Sequence, residues 1–156
     1  MPPHAPAHTS LEIDHATHTI RFARSFDAPA ALVFEAWTAP EHIRCWWDAA
    51  GEPLTVCEID LRPGGAFRFV THGHPDMPFA GVYLEIAPPN RLVFEALNST
   101  GRVQFASTGG KTRMTVEIIC KSAGQLEQFL KMGVDVGTSQ TLDNLVAYIE
   151  RQGVVA

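Results

Sequence analysis

The sequence predicts an α+β domain: a curved antiparallel sheet of six to seven strands wrapped around one long C-terminal helix, with two short helices after the first strand. Three observations carry this expectation. Strand-like runs follow one another through the centre of the chain with only short turns between them. Helical patterning flanks that centre and does not interrupt it. The stretch from about Ala123 to Gln152 repeats apolar residues at helical spacing, and it is the only segment long enough to cover one face of such a sheet.

Up to about Ala16 the chain carries several prolines and histidines and no periodic apolar pattern, so residues 1–16 are expected to be a flexible tail. His4, His8, His15 and His18 lack ligand spacing and read as solvated rather than metal-binding. Residues 17–152 are expected to form one domain and 153–156 a short C-terminal tail. In "HTIRFARSFD", Ile20, Phe22 and Phe26 alternate with polar neighbours, which marks the first strand. Asp27 is a suitable N-cap and Pro29 fits a first helical turn, so "DAPAALVFEAWT" is expected to be helical. Val33, Phe34 and Trp37 then share one face. A second short helix, "PEHIRCWW", opens at Pro40 and ends before "DAAGEP".

Six runs follow: "LTVCEIDL", "AFRFVTH", "FAGVYLEI", "RLVFEAL", "RVQFAST" and "TRMTVEIIC". Separators such as "RPGG", "APPN" and "TGGK" are turn chemistry, and connections this short join antiparallel neighbours. "RPGG" lacks the residues of a phosphate loop and opens a strand, so it reads as a hairpin turn. Leu126, Phe129 and Leu130, then Leu142, Leu145, Val146 and Ile149, mark the terminal helical stripe. Gly124, Gly133 and Gly137 weaken it, so a kinked helix or a short helix followed by a longer one is expected.

Composition bounds the function. The formal net charge of -5, with no block of Lys or Arg, gives no footprint for nucleic acid or an anionic membrane surface. No apolar run is long enough for membrane insertion, and "MPPHAPAHTS" has neither the basic start nor the apolar stretch of a secretory signal, so a cytoplasmic location is expected. Cys45, Cys57 and Cys120 are odd in number and widely spaced, and read as reduced, mostly buried thiols.

Four stretches, "RSFDAPAALVFEAWTAPEHIRCWW", "EIDLRPGGAFRF", "FAGVYLEIAPPNRLVFE" and "KMGVDVGTSQTLDNLVAYIE", occur in an order that resembles the START-like, or SRPBCC, superfamily, within the branch named after the activator of the heat-shock protein 90 ATPase. They run from about residue 20 to residue 150. The resemblance implies the helix-grip fold, with a cavity between the curved sheet and the long helix and a mouth near the two short helices. Superfamily members bind lipids, polyketides, hormones or other apolar molecules, and some catalyse cyclisation or hydrolysis, so fold alone does not choose among these activities. One position departs from the bacterial-type pattern. Relatives usually carry an aromatic residue after the glycine of this helix, whereas here Gly137 is followed by Thr138. If Thr138 faces the cavity, it leaves more room or adds a polar contact.

The adjacent tryptophans Trp46 and Trp47 point in directions about 100° apart on a helix, so one is expected to pack the interior and the other to guard the mouth. Trp37, Phe67, Phe69, Tyr83, Phe94, Phe105, Phe129 and Met132 are expected along the cavity walls. The expected ligand is a small, mostly apolar molecule, with no metal and no cofactor; a homodimer is compatible with this but does not follow from it. A cyclase- or hydrolase-type enzyme is the alternative, and it needs an inward acid or base among His72, His74, Glu58 and Arg113. His72 and His74, with Asp76 nearby, lack the closing ligands of a zinc site. Glu58, Asp60, Arg68, Glu95, Glu117 and Arg113 read as the solvated face. A chaperone-ATPase-activating module is the third reading, and it requires an exposed patch that the sequence does not display.

Overall fold

A computed structural model describes residues 10–153. Eight strands form one antiparallel sheet: β1 (Ser10–Asp14), β2 (Thr19–Phe26), β3 (Val56–Ile59), β4 (Ala66–Val70), β5 (Phe79–Ala87), β6 (Arg91–Ala96), β7 (Ser99–Thr108) and β8 (Lys111–Ile119). Their order across the sheet is β1-β2-β8-β7-β6-β5-β4-β3, a meander from β3 to β8 closed by the N-terminal hairpin. Helices α1 (Ala30–Thr38) and α2 (Pro40–Trp46) lie between β2 and β3, and α3 (Ala123–Lys131) and α4 (Val134–Gly153) follow β8.

The strand beyond the expected six to seven is β1, in a segment read from sequence as flexible tail. Leu11 and Ile13 pair opposite Phe22 and Ile20, so two apolar positions suffice to add an edge strand, and among the described residues the sheet extends back to Ser10. The rest of the expected tail, residues 1–9 with His4 and His8, lies outside the described residues, as do residues 154–156. At the other end α4 includes Gly153, one residue into the expected C-terminal tail. The first helix begins at Ala30 with Pro29 as its cap, not at Asp27. Pro29 is in extended backbone and its carbonyl accepts from the Leu32 and Val33 amides, so the helical bonds start there and no side chain caps them.

Strand alternation gives the sheet one apolar inner face. Ile20, Phe22, Val103 and Met114 are completely covered, and each such side chain contributes about 1.5–3 kcal/mol by leaving water. A bulge between Tyr83 and Glu85 bends β5. On the outer face Glu117 lies opposite Arg21 on one side and Arg102 on the other. Its carboxylate is 3.0 Å from Arg21 and 2.7 Å from Arg102. The expectation that Glu117 is simply solvated is therefore corrected: it is 8% exposed, between two guanidiniums. Burial alone would raise the Glu117 carboxyl, but the two arginines outweigh it and hold it below its ordinary value.

The terminal helical segment is divided at Gly133, whose φ of +77° sets the corner between α3 and α4. The second half of α4 buries Leu145, Val146, Tyr148 and Ile149. Asp143 of α4 meets Arg24 on the inner side of β2 at 3.5 Å, and the Tyr148 hydroxyl bonds the His42 imidazole of α2. These contacts clamp the C-terminal half of α4, while its N-terminal half lies over the sheet with smaller side chains.

Candidate binding cavity

A cavity of about 720 Å³ lies between the inner face of the sheet and the first half of α4. Its helical wall is Val134, Gly137, Thr138, Thr141 and Leu142, the i, i+3, i+4, i+7, i+8 face of α4. One turn further on, the same stripe becomes Leu145, Val146 and Ile149 and the space closes. Glycine and threonine where the packed half carries leucine and valine therefore leave the interior unfilled, and well-packed cores hold few voids larger than one water. The sheet side includes Phe94, Gly101, Val116 and Ile118, and α3 adds Phe129. Gly101 is the platform for Phe94: an added Cβ would sit 2.4 Å from the ring. The exposed residues Ala49, Ala50, His74 and Leu97 mark the mouth.

The rim is fastened to the helices. Thr141 donates to the Trp47 carbonyl at 3.1 Å, and the Asn144 amide donates to the Asp48 carbonyl at 3.0 Å. Asp48 accepts from the Ala50 amide at 3.0 Å, folding the loop on itself. Across the mouth, Gln125 of α3 donates to both the Leu97 and Asn98 carbonyls at 3.1 Å, and Ser122 caps that helix by accepting from the Gln125 amide. Both helices after β8 thus hold the loops that frame the opening.

The paired tryptophans divide as their directions on the helix require. Trp46 is 1% exposed and its indole N–H donates to the Ala36 carbonyl at 3.0 Å, joining α2 to α1. Trp47 is half-buried and borders the cavity, with its ring 5.1 Å from Phe79 and 5.0 Å from Phe69. Of the side chains expected at the site, Trp37, Trp47, Phe94, Phe129 and Thr138 line the cavity. Phe67, Phe69 and Tyr83 do not: they enclose a neighbouring void of about 10 Å³, the size of one water. Their centroids are 5.1–5.3 Å apart, so this end of the sheet is packed. Burial raises the Tyr83 phenol further above its ordinary value. Phe105 packs edge-on against Phe34 of α1, and Met132 caps α3 at 60% exposure. Trp46, Phe67, Phe69, Tyr83, Phe105 and Met132 are thus corrected to positions away from the cavity wall.

Sequence reasoning missed Phe79, Val116, Ile118 and Leu142 as wall residues. For the first three the signal available was strand pairing: Phe79 opposes Phe69, and Ile118 opposes Gly101. Polar candidates separate clearly. Glu58, His72 and Arg113 are exposed and do not line the cavity, whereas His74 stands at its mouth. Of the three cysteines, Cys45 is exposed, contrary to the buried reading. Burial pushes the Cys57 thiol up to about 11. Among the described residues no group of three His, Cys, Asp or Glu can hold a metal ion, and no helix is long and apolar enough to cross a membrane.

The profile of the family described as "Activator of Hsp90 ATPase homolog 1-like protein" matches residues 27–150. No curated protein sequence matches the chain. Among solved structures, the chain is similar to a protein from Mycobacterium smegmatis with a TM-score of 0.80 and 24% identity, over 93% of this chain and 99% of that one. A Nitrosomonas europaea protein gives a TM-score of 0.79 and 24% identity, over 87% and 96%. An AHSA1-like protein from Aeromonas hydrophila gives 0.69 and 24%, over 85% and 94%. These likenesses establish a shared helix-grip fold.

Proposed function

Because this chain belongs to the Activator of Hsp90 ATPase homolog 1-like family, we propose that it binds a small, mostly apolar molecule between the sheet and the first half of α4. The observation that carries this reading is the 720 Å³ cavity, whose walls include the aromatic rings of Trp37, Trp47, Phe79, Phe94 and Phe129. Ligand sites of small molecules are typically about 300–1,000 Å³ and are lined in this way. The helix-grip architecture is compatible with such binding. Of the four acid–base candidates named from sequence only His74 borders the cavity; Glu58, His72 and Arg113 lie away from it.

Native mass spectrometry of gently purified protein, beside a denatured sample of the same batch, tests the proposal. A mass increment that disappears on denaturation supports it and narrows the chemistry. For protein that purifies empty, pyrene is titrated and energy transfer from Trp37 and Trp47 to the probe is recorded. Thr138→Trp, which puts an indole into the cavity, should abolish the transfer while leaving the fold intact. Absence of both an increment and energy transfer refutes the proposal. Undiminished pyrene binding by Thr138→Trp places the probe elsewhere and refutes it equally.

A further inference from the structure

We infer that the cavity selects against anions and takes an apolar ring body carrying one hydroxyl or carbonyl, and that Thr138 is the partner of that group. This rests on the binding reading above. Three ionisable residues border the space: Asp48, His74 and Glu117. Asp48, an anion at the rim, accepts from the Ala50 amide through one oxygen. The Glu117 carboxylate is held on the outer face by Arg21 and Arg102. His74 is exposed at the mouth, where water screens its charge. Among the described residues no Lys or Arg lines the cavity, and Arg24, the cation on the inner side of β2, meets Asp143. A carboxylate or phosphate entering against Trp37, Phe94 and Phe129 would lose its hydration without gaining a cation.

Four hydroxyls border the cavity, those of Thr71, Ser99, Thr138 and Thr141. Thr141 spends its proton on the Trp47 carbonyl, and Ser99 spends its own on the Ala96 carbonyl. The hydroxyls of Thr71 and Thr138 make no hydrogen bond among the described residues; Thr71 adjoins the mouth, where its carbonyl accepts from the His74 amide, whereas Thr138 is half-buried on the helical wall. Beside it, a Cβ added to Gly137 would meet nothing within 4 Å, so a ligand can approach the helix closely there. A ligand hydroxyl or carbonyl placed at Thr138 replaces the water that otherwise satisfies it. A hydrocarbon of the same shape displaces that water without replacement.

The test uses a matched set on one ring system, read by tryptophan-to-probe energy transfer: pyrene, 1-pyrenemethanol and 1-pyrenecarboxylate, with the wild-type chain and Thr138→Val. We expect the alcohol to bind about tenfold more tightly than the carboxylate. Thr138→Val should weaken the alcohol by about tenfold, the scale of one neutral hydrogen bond, and leave pyrene within about twofold. Retained pyrene binding also shows that the variant is folded. If the carboxylate binds as tightly as the alcohol, or if Thr138→Val leaves the alcohol unaffected, the inference is overturned while binding of pyrene keeps the cavity reading intact. If pyrene itself fails to bind the wild type, the cavity reading falls and this inference with it.

Discussion

Two glycines on the inner face of the sheet should respond to the same methyl group in opposite ways. At Gly101 an added Cβ lies 2.4 Å from the tip of the Phe94 ring, far inside the roughly 3.5–4.0 Å of ordinary carbon contact, so the ring must move by more than 1 Å. Phe94 borders the cavity and has empty space to swing into. At Gly81 the Cβ lies 2.1 Å from the Glu95 backbone carbonyl, which is fixed by the β5–β6 ladder and has nowhere to go. Overpacking typically costs about 1–3 kcal/mol, and Gly→Ala returns about 0.4–1 kcal/mol through the unfolded chain. Gly101→Ala should therefore lose about 1 kcal/mol or less, and Gly81→Ala about 2–3 kcal/mol or more. At about 2–4 °C per kcal/mol for a domain of this size, thermal unfolding should fall by less than about 4 °C for the first and by about 4–12 °C for the second. Pyrene binding should reverse the order, falling about tenfold in Gly101→Ala, where the ring now occupies the site, and little in Gly81→Ala at temperatures where that variant is folded. Equal melting temperatures for the two variants, or unchanged pyrene affinity in Gly101→Ala, would refute the placement of Phe94 between Gly101 and the cavity.

Leu145→Ala removes a fully buried side chain from the packed half of α4 and should cost about 2–5 kcal/mol, measured by urea unfolding, with the cavity rim unaltered. Glu117 is more acidic folded than unfolded, so its pairing with Arg21 and Arg102 stabilises above the unfolded carboxyl's range and is lost as pH falls through the folded value. Glu117→Gln should lower stability by about 1–2 kcal/mol at pH 7, toward the low end for a broken pair because both arginines retain water, and the gap to wild type should close on acidification. Thr141→Val with Asn144→Ala releases the Trp47–Ala49 carbonyls from α4; amide exchange in that loop should rise and pyrene should dissociate faster, while the melting temperature changes by only a few degrees. Toward a thiol reagent at pH 8, the exposed Cys45 should react in the folded protein, whereas Cys57, held protonated with its thiol near 11, and the buried Cys120 should react only on unfolding.

The amino-acid sequence determined the element order, while the face that each strand residue occupies waited on the register. Period-two alternation in the six central runs and turn residues between them suffice for an antiparallel meander, because a short connection admits no other pairing. Opposed directions for Trp46 and Trp47 follow from helical geometry alone, and the structure keeps them: one indole joins α1 to α2 and the other borders the cavity. Gly124, Gly133 and Gly137 marked the terminal segment as weak and left a kink or a break open; the structure breaks it at Gly133. What misled was the edge. Ser10–Asp14 is a poor strand by composition and becomes one because the open side of β2 offers it hydrogen bonds.

Which end of the inner face is hollow was decided only by tertiary structure. Phe67, Phe69 and Tyr83 are as aromatic as Phe94 and Phe79, and nothing local distinguishes wall from core. The difference lies in what faces them across the fold. At one end Trp37 of α1, Ile43 of α2 and the adjoining Trp47 close on the same small void as Phe67, Phe69 and Tyr83. At the other, Gly137, Thr138 and Thr141 present too little volume to reach it. A cavity is a deficit of volume summed over elements far apart in sequence, so it is absent from every local pattern and exists only once the helix is laid across the sheet.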